Sequence, residues 1–209
     1  MDSKMLLFVM ANLRLEHFKG HLPEAAATPG VIRARYAHAV PDRETSEWRH
    51  IAIFDIDRDP EEVAAALFGR GVTGSLAFDD RSLRMVAASA ITPRRLAEGR
   101  PGNTANPLLF VVLTNPSDGR EAEYNDWYDR RHLPDVLAIR GFVAAQRFRI
   151  DALAPAQKLP WRYLAIYEVA ADAVEAAFAE LDVRKGTTRM PISDALDNER
   201  FRALYAVTR

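Results

Sequence analysis

The side chains most able to do chemistry lie in one segment, between positions 121 and 142. Asn125, Tyr128 and His132 are spaced i, i+3 and i+7, which places them on one stripe of an α-helix. An imidazole titrates near neutrality, a phenol is a weaker acid and hydrogen-bond donor, and an amide can orient either group. This set predicts proton transfer next to a carbonyl or an enol. His132 would move the proton, Tyr128 would stabilise or protonate the oxygen, and Asn125 would orient the reacting groups.

Four further residues are candidates for substrate contact: Tyr124, Trp127, Asp135 and His21. Each candidate also has a structural interpretation. The aromatic residues could simply be core beneath a helix, and Asp135, which follows a proline, could be a helix cap. His132 could be a buried histidine that ties the helix to the loop before Gly141. Its recurrence as His21 favours that structural role, because a folding constraint would apply to both halves.

Composition restricts the function classes. The formal net charge of -1, from 28 basic and 29 acidic residues, argues against a nucleic-acid partner. The chain has no cysteine, which excludes disulfides, thiolate nucleophiles and cysteine-bound metals and is typical of a reducing cytoplasm. Its longest apolar runs have the length of strands, so we expect no membrane partner. Without a glycine-rich phosphate loop or a carboxylate metal cluster, phosphoryl transfer is also disfavoured.

The first half contains one pair of candidate metal ligands. His17 and His21 are spaced i and i+4, so both could face one side of a helix. No third ligand is spaced to join them, although Glu16 and Glu24 are nearby. We therefore expect no metal and no cofactor.

The two halves of the chain repeat one pattern. The His-Leu-Pro sequence that begins at His21 recurs 111 positions later at His132, and Gly30 recurs at the same distance as Gly141. Trp48 recurs 113 positions later as Trp161. Matched order with nearly constant spacing indicates an internal duplication.

Each half predicts the element order β-α-β-β-α-β. The first half has apolar or alternating strands at 5–12, 31–40, 48–56 and 83–91, and the second at 108–114, 142–150, 161–169 and 201–207. The sequence Asp59-Pro60 starts a helix, and Gly30 ends one. The sequence therefore predicts an α+β fold of two ferredoxin-like repeats, residues 1–95 and 107–209, joined by a linker at 96–106. Their apolar sheets would pack face to face as a pseudo-dimeric barrel.

The run from Tyr124 to Asp129, followed by His132-Leu133-Pro134-Asp135-Val136 and Gly141-Phe142, resembles the EthD-like branch of the dimeric α+β barrel superfamily. The resemblance covers the second half well, and the first half only through its His-Leu-Pro sequence, Gly30 and Trp48. It implies the barrel fold and a ligand between the sheet and the first helix, where His132 would point. The activities that it implies are isomerases, cyclases, dehydratases and cofactor-free monooxygenases.

The halves differ where the chemistry would be. At the offset of 111, His17 stands where the second half has Tyr128, and Arg14 stands where it has Asn125. The second half is therefore the predicted active half.

The leading hypothesis is a cofactor-independent isomerase, cyclase or dehydratase acting on a small oxygenated ring compound. The alternatives are a non-catalytic ligand-binding or accessory protein of a catabolic pathway and a cofactor-free monooxygenase. The sequence leaves open whether two chains associate as a homodimer.

Overall fold

The computed structural model describes residues 4–12, 22–41, 47–68, 82–99, 107–153 and 158–208. Their strands are β1 (Met5–Ala11), β2 (Val31–Ala39), β3 (His50–Ile56), β4 (Arg84–Ala90), β5 (Arg95–Leu96), β6 (Leu108–Thr114), β7 (Phe142–Ala152), β8 (Tyr163–Val169) and β9 (Phe201–Thr208). Their α-helices are α1 (Leu22–Ala26), α2 (Pro60–Phe68), α3 (Glu121–Trp127), α4 (Leu133–Leu137) and α5 (Val174–Arg184). A π-helical turn (Tyr128–His132) joins α3 to α4, and a 3-10 turn (Ala171–Ala173) precedes α5.

Eight of these strands close into one antiparallel barrel. The order is β4-β1-β3-β2-β9-β6-β8-β7, and β4 pairs with β7 to complete the ring. The first-half strands thus meet the second-half strands at two seams, β2 with β9 and β4 with β7. Closure satisfies the backbone groups that an open sheet would leave unpaired at its edges. The prediction of a mixed α+β chain with a closed antiparallel sheet is therefore confirmed.

The barrel interior is filled with hydrocarbon. One buried cluster draws side chains from all eight barrel strands, among them Phe8, Ile53, Val86, Val111, Phe148, Ile166 and Tyr205. Two further clusters lie on the outer faces of the sheet, one under α2 and one under α3, α4 and α5. Strand residues alternate between these layers because successive side chains point to opposite faces. Since the interior is packed, space for a ligand is left between the sheet and its helices.

Local sequence signals place several boundaries. Asp59 caps α2 as predicted: its Oδ1 accepts hydrogen bonds from the backbone N–H groups of Glu61 and Glu62. Strands β3 and β8 begin two residues later than the predicted positions 48 and 161. The cause is shared: the N–H of Arg49 donates to Asn12 Oδ1 and that of Arg162 donates to Asn115 Oδ1. These backbone groups bond to side chains, so the strand ladder starts beyond them.

The segment after β4 pairs with the sheet at a position where the sequence predicts a linker. Arg95 and Leu96 pair with Ala145 and Ala144 of β7, and the N–H of Ala97 donates to a carbonyl of the same strand. The described start of the 96–106 region therefore lies against β7. No helix within the described ranges is long and apolar enough to span a bilayer.

Gly141 sets how closely α5 approaches the sheet, which gives a first prediction. Its φ is +111°, and a Cβ there would lie 2.7 Å from Ala177 Cβ of α5. We expect Gly141→Ala to lower the free energy of unfolding by about 3 kcal/mol, since it adds both backbone strain and overpacking. Gly119→Ala is the matched control, because Gly119 also has positive φ (+74°) but a Cβ there meets nothing within 4 Å. The control should cost about 1 kcal/mol. Equal losses in urea denaturation would contradict the close contact with α5.

Candidate active site

The predicted chemistry lies on a helix with an inserted turn. The N–H of Leu133 donates to the carbonyl of Tyr128, an i to i+5 bond that marks a π-helical turn between α3 and α4. Such a turn inserts one residue into the α-helical pattern and is frequent at functional sites. It also breaks the 3.6-residue period from which the stripe of three side chains was predicted. Residues before the turn therefore face a different direction from residues after it.

A buried arginine lies under this helix. The side chain of Arg147, on β7, is 1% exposed. Its guanidinium donates hydrogen bonds to the carboxylate of Asp129 and, at 2.8 Å, to Asn125 Oδ1. It also lies over the ring of Tyr128, 4.0 Å from the centroid. Burial alone lowers the pKa of Arg147, but the neighbouring phenols and Asp129 outweigh it and raise the pKa. The cation is therefore kept and joins the sheet to the helix.

Asn125 serves this arginine and not the ligand space. While its Oδ1 accepts from Arg147, its Nδ2 donates to the hydroxyl of Tyr163 at 3.1 Å. That hydroxyl in turn donates to Glu121. Asn125 is absent from the described residues that line the neighbouring cavity. The predicted stripe thus divides at the π-helical turn, with Asn125 on the arginine and Tyr128 and His132 on the cavity.

Two phenols form a buried hydroxyl pair. The hydroxyls of Tyr128 and Tyr167 are 3.1 Å apart, and both side chains are buried. Burial raises the pKa of each phenol well above its ordinary value. Both groups therefore stay protonated at physiological pH and remain hydrogen-bond donors. In such a pair one hydroxyl can donate to the other and leave a second proton for a ligand.

His132 contacts this pair and is held neutral. Its ring stacks on Trp127, with centroids 4.8 Å apart, and meets the Tyr128 ring edge to face at 4.9 Å. Its Nδ1 is buried without a hydrogen-bond partner in the described structure. Burial, together with the positive charges of Arg147 and Arg200, lowers the pKa of His132 to about 3. The expectation of a group that titrates near neutrality does not hold in the free site, because it ignored burial and these cations.

His132 and Tyr128 line one cavity on the outer face of the second-half sheet. The volume is about 70 Å³, and most of the wall is apolar. The described lining residues are Phe110, Val112, Thr114, Tyr128, His132, Val136, Tyr167, Leu181, Lys185, Met190, Ile192, Leu196, Arg200 and Arg202. The exposed side chains of Lys185 and Ile192 mark where the cavity reaches the surface. An apolar cavity that holds benzene has about 150 Å³, so a ring-sized ligand here would require this rim to shift.

The remaining predicted contact residues do not line this cavity. Tyr124 is fully buried and bonds Thr114 Oγ1 through its hydroxyl at 2.7 Å. Trp127 donates from its ring nitrogen to the carbonyl of Pro191, and Asp135 accepts from Arg131 one turn earlier. In the geometry described, each of these three side chains bonds to another protein group, and their role in substrate contact stays a prediction. His21, like His17, lies outside the described residues.

Sequence reasoning missed four cationic residues: Arg147, Lys185, Arg200 and Arg202. Arg147 left a weak signal, since it follows the apolar start of β7, but Arg149 two residues later lies on the same strand face. The other three left none, because Lys185 is distant in sequence from Arg200 and Arg202, and only the fold brings them to one cavity with Tyr128 and His132. Within the described residues there is no group of three histidine, aspartate or glutamate side chains that could hold a metal ion. The cavity is also far smaller than the 300–1,000 Å³ typical of pockets for drug-sized ligands and cofactors.

The burial of Arg147 predicts a large cost for a conservative change. Arg147→Lys keeps the charge but cannot bond Asp129 and Asn125 together or stack flat on Tyr128. We expect a loss of about 3 kcal/mol in the free energy of unfolding. Arg149→Lys, two residues away on the same strand with a 59% exposed side chain, should cost less than about 0.5 kcal/mol. Similar losses in the two variants would argue against the buried position of Arg147.

The low pKa of His132 predicts an acid-sensitive fold. The unfolded chain binds a proton at this residue below pH 6.5, whereas the folded chain does so only near pH 3. Stability is therefore lost as the pH falls through that window. Between pH 7 and pH 5, wild type should lose about 2 kcal/mol more than His132→Asn in urea denaturation. Parallel pH profiles for the two proteins would mean that His132 titrates normally in the folded state.

Comparison with known proteins identifies the fold. No family model matches the chain, and no curated protein matches it significantly. Among solved structures, an anthrone oxidase-like protein superposes with a TM-score of 0.58 at 11% identity, covering 98% of this chain and 91% of its own. A proposed monooxygenase from Fusobacterium nucleatum gives 0.56 at 9% identity, with coverages of 98% and 92%. Chlorite dismutase from Candidatus Nitrospira defluvii, in complex with imidazole, gives 0.57 at 9% identity, with coverages of 96% and 90%.

Each of these three neighbours matches nearly the whole length of this chain. At such low identity the likeness concerns the fold alone, and the narrower resemblance to the EthD-like branch stays a prediction. What the comparisons show is that this chain shares a mixed α+β fold with these proteins, and its own antiparallel sheet closes into an eight-stranded barrel.

Proposed function

We propose that the protein is a cofactor-independent acid–base enzyme that acts on a small, partly apolar, oxygenated compound. The observation that carries the proposal is that His132 and Tyr128 line the same cavity, which reaches the surface. A pure binding protein needs a shaped apolar pocket but has no need of an imidazole beside a pair of phenols. The isomerase, cyclase and dehydratase types all share the proton transfer proposed for these groups.

In the proposed reaction, His132 accepts a proton from a carbon next to a carbonyl. The electron pair of that C–H bond moves towards the carbonyl oxygen, which becomes an enolate. A hydroxyl of the Tyr128–Tyr167 pair donates a hydrogen bond to this oxygen, and His132 returns the proton to another carbon. The depressed pKa leaves the imidazole neutral at physiological pH but also makes it a weaker base than an ordinary histidine. The proposed proton transfer therefore requires a ligand whose negative charge offsets Arg147 and Arg200 and raises the pKa of His132 when it binds. The raised phenol pKa values support the role of the hydroxyl pair, because both hydroxyls remain donors.

A cofactor-free monooxygenase is the second candidate. It is favoured by the solved neighbours, of which one is anthrone oxidase-like and another is a proposed monooxygenase. Such a reaction would use the same cavity, with His132 taking the proton of a phenolic substrate before molecular oxygen reacts with it. Oxygen consumption in the presence of a small phenol would distinguish it from isomerisation. A ligand-binding role without chemistry is the third candidate, and it predicts neither exchange nor oxygen uptake.

We also propose that the chain is a tandem duplication, with copies at 1–95 and 107–209. Both halves show the strand order fourth-first-third-second within the barrel. The N–H of Asp57 donates to the carbonyl of Gly30, as that of Ala170 does to Gly141. With the matched asparagine bonds at the starts of β3 and β8, this agreement supports two copies of one unit. The first copy would be the degenerate one.

Proton abstraction can be tested before the substrate is known. In deuterium oxide, wild type should exchange hydrogen at the carbon next to the carbonyl in some members of a panel of small ketones and lactones. We expect His132→Asn to reduce the exchange rate by about 100-fold or more, and Tyr128→Phe by about 10- to 100-fold. Proton NMR of the panel compounds measures the loss of signal. Comparing acyclic with cyclic members tests whether the cavity admits a ring.

Tyr36→Phe provides the matched control. Tyr36 is another buried tyrosine, whose pKa is raised to about 12 by burial, but it packs against Phe54 under the first half. Its removal should leave the exchange rate unchanged. Exchange that persists in His132→Asn would rule out His132 as the base. Exchange lost equally in Tyr36→Phe would point to a general loss of structure.

A further inference from the structure

The charged side chains that line the cavity are all of one sign. Lys185, Arg200 and Arg202 belong to its wall, and of the described side chains that line it none is acidic. We infer that the cavity binds a small organic anion, a carboxylate attached to a short apolar body. This inference rests on the proposed function, for which it names the substrate class. Binding of the anion can be tested separately from catalysis.

Two of these cations have no counter-ion among the residues that the structure describes. Neither Lys185 nor Arg200 makes a hydrogen bond or ion pair through its side chain within the described residues. Two other arginines of the same half are paired, Arg131 with Asp135 and Arg184 with Glu180. Unpaired cations are ordinary on an open surface, but Arg200 is half-buried beside apolar walls. A cation placed there without a carboxylate is satisfied when the ligand supplies one.

The field inside the cavity supports an anion. Arg200 contributes to lowering the pKa of His132, so its charge acts on the groups at the inner end. Apolar walls such as those formed by Phe110, Val112 and Leu181 screen charge poorly, which concentrates the field of the cations in the cavity. The hydroxyls of Tyr128 and Tyr167 add neutral hydrogen-bond donors on the same side.

The walls also restrict what carries the charge. Phosphate or sulfate would meet the cations but leave the apolar lining without a partner. A carboxylate with three or four carbon atoms suits both the lining and the cations. Butyrate has as many non-hydrogen atoms as benzene, so its binding in a cavity of about 70 Å³ would also require the rim to shift. A neutral compound of the same shape would fill the lining but leave Lys185 and Arg200 unpaired. The charge and the apolar body are therefore both parts of the recognised ligand.

Isothermal titration calorimetry with butyrate and butyramide tests this inference, because the two probes share their shape and differ in charge. Wild type should bind butyrate at least about 10-fold more tightly than butyramide, and more tightly than inorganic phosphate. Lys185→Gln and Arg200→Gln should each weaken butyrate binding by about 5- to 10-fold and leave butyramide unchanged. Arg200→Lys should retain most of the preference. Lys158→Gln, which removes an exposed cation that does not belong to the lining, controls for net charge and should bind like wild type.

Equal binding of butyrate and butyramide by folded wild type would overturn the inference, and so would phosphate binding as tight as butyrate. If Lys158→Gln also lost butyrate binding, the preference for the anion would come from the net charge of the protein and not from the cavity. If Arg200→Gln fails to fold, Lys185→Gln on the exposed rim decides the matter. Butyrate binding without hydrogen exchange on any carbonyl compound would leave the anion site standing and reject the proposed catalysis. Hydrogen exchange by a protein that binds butyrate and butyramide equally would support the proposed catalysis and reject the anion site.

Discussion

The site depends on the burial of one guanidinium. Arg147 brings a positive charge from β7 into the layer between the sheet and its helix, where water cannot solvate it. A buried charge is tolerated only when its donors are satisfied, so Asp129, Asn125 and the face of Tyr128 are bound to it. These bonds fix the helix around the π-helical turn. Because Tyr128 is held by Arg147 on one face, its hydroxyl and the neighbouring His132 ring are positioned at the cavity.

Barrel closure decides where that cavity can be. The two seams between the halves bring the inner faces of eight strands together, and their apolar side chains fill the interior. What remains is the outer layer, in which helices cover the sheet incompletely. In the second half, α5 approaches closely at Gly141, where it packs without a gap. The cavity opens farther along, where the segment after α5 crosses the sheet and supplies Lys185 and Arg200.

Much of the fold could be predicted because it depends on local rules. A capping acid before Pro60, a glycine with positive φ at position 30, and strand-length apolar runs are each decided within a few residues. Strand starts were two residues early, since the side chains that end the ladder there come from a distant strand. The pairing of Arg95 with β7 was missed for a similar reason. It depends on a free strand edge that the sequence does not reveal.

For the site, the sequence by itself determined which residue types were available: an imidazole and several phenols on one amphipathic helix, in the half that retains them. Only the tertiary structure decided what they can do. The π-helical turn separated Asn125 from His132, and burial near Arg147 and Arg200 made the imidazole neutral. Spacing along a chain reports which side chains share a helix face. The pKa of a group and the charge of a cavity depend on atoms that are close in space and distant in sequence, so they emerge only when the barrel closes and its helices pack.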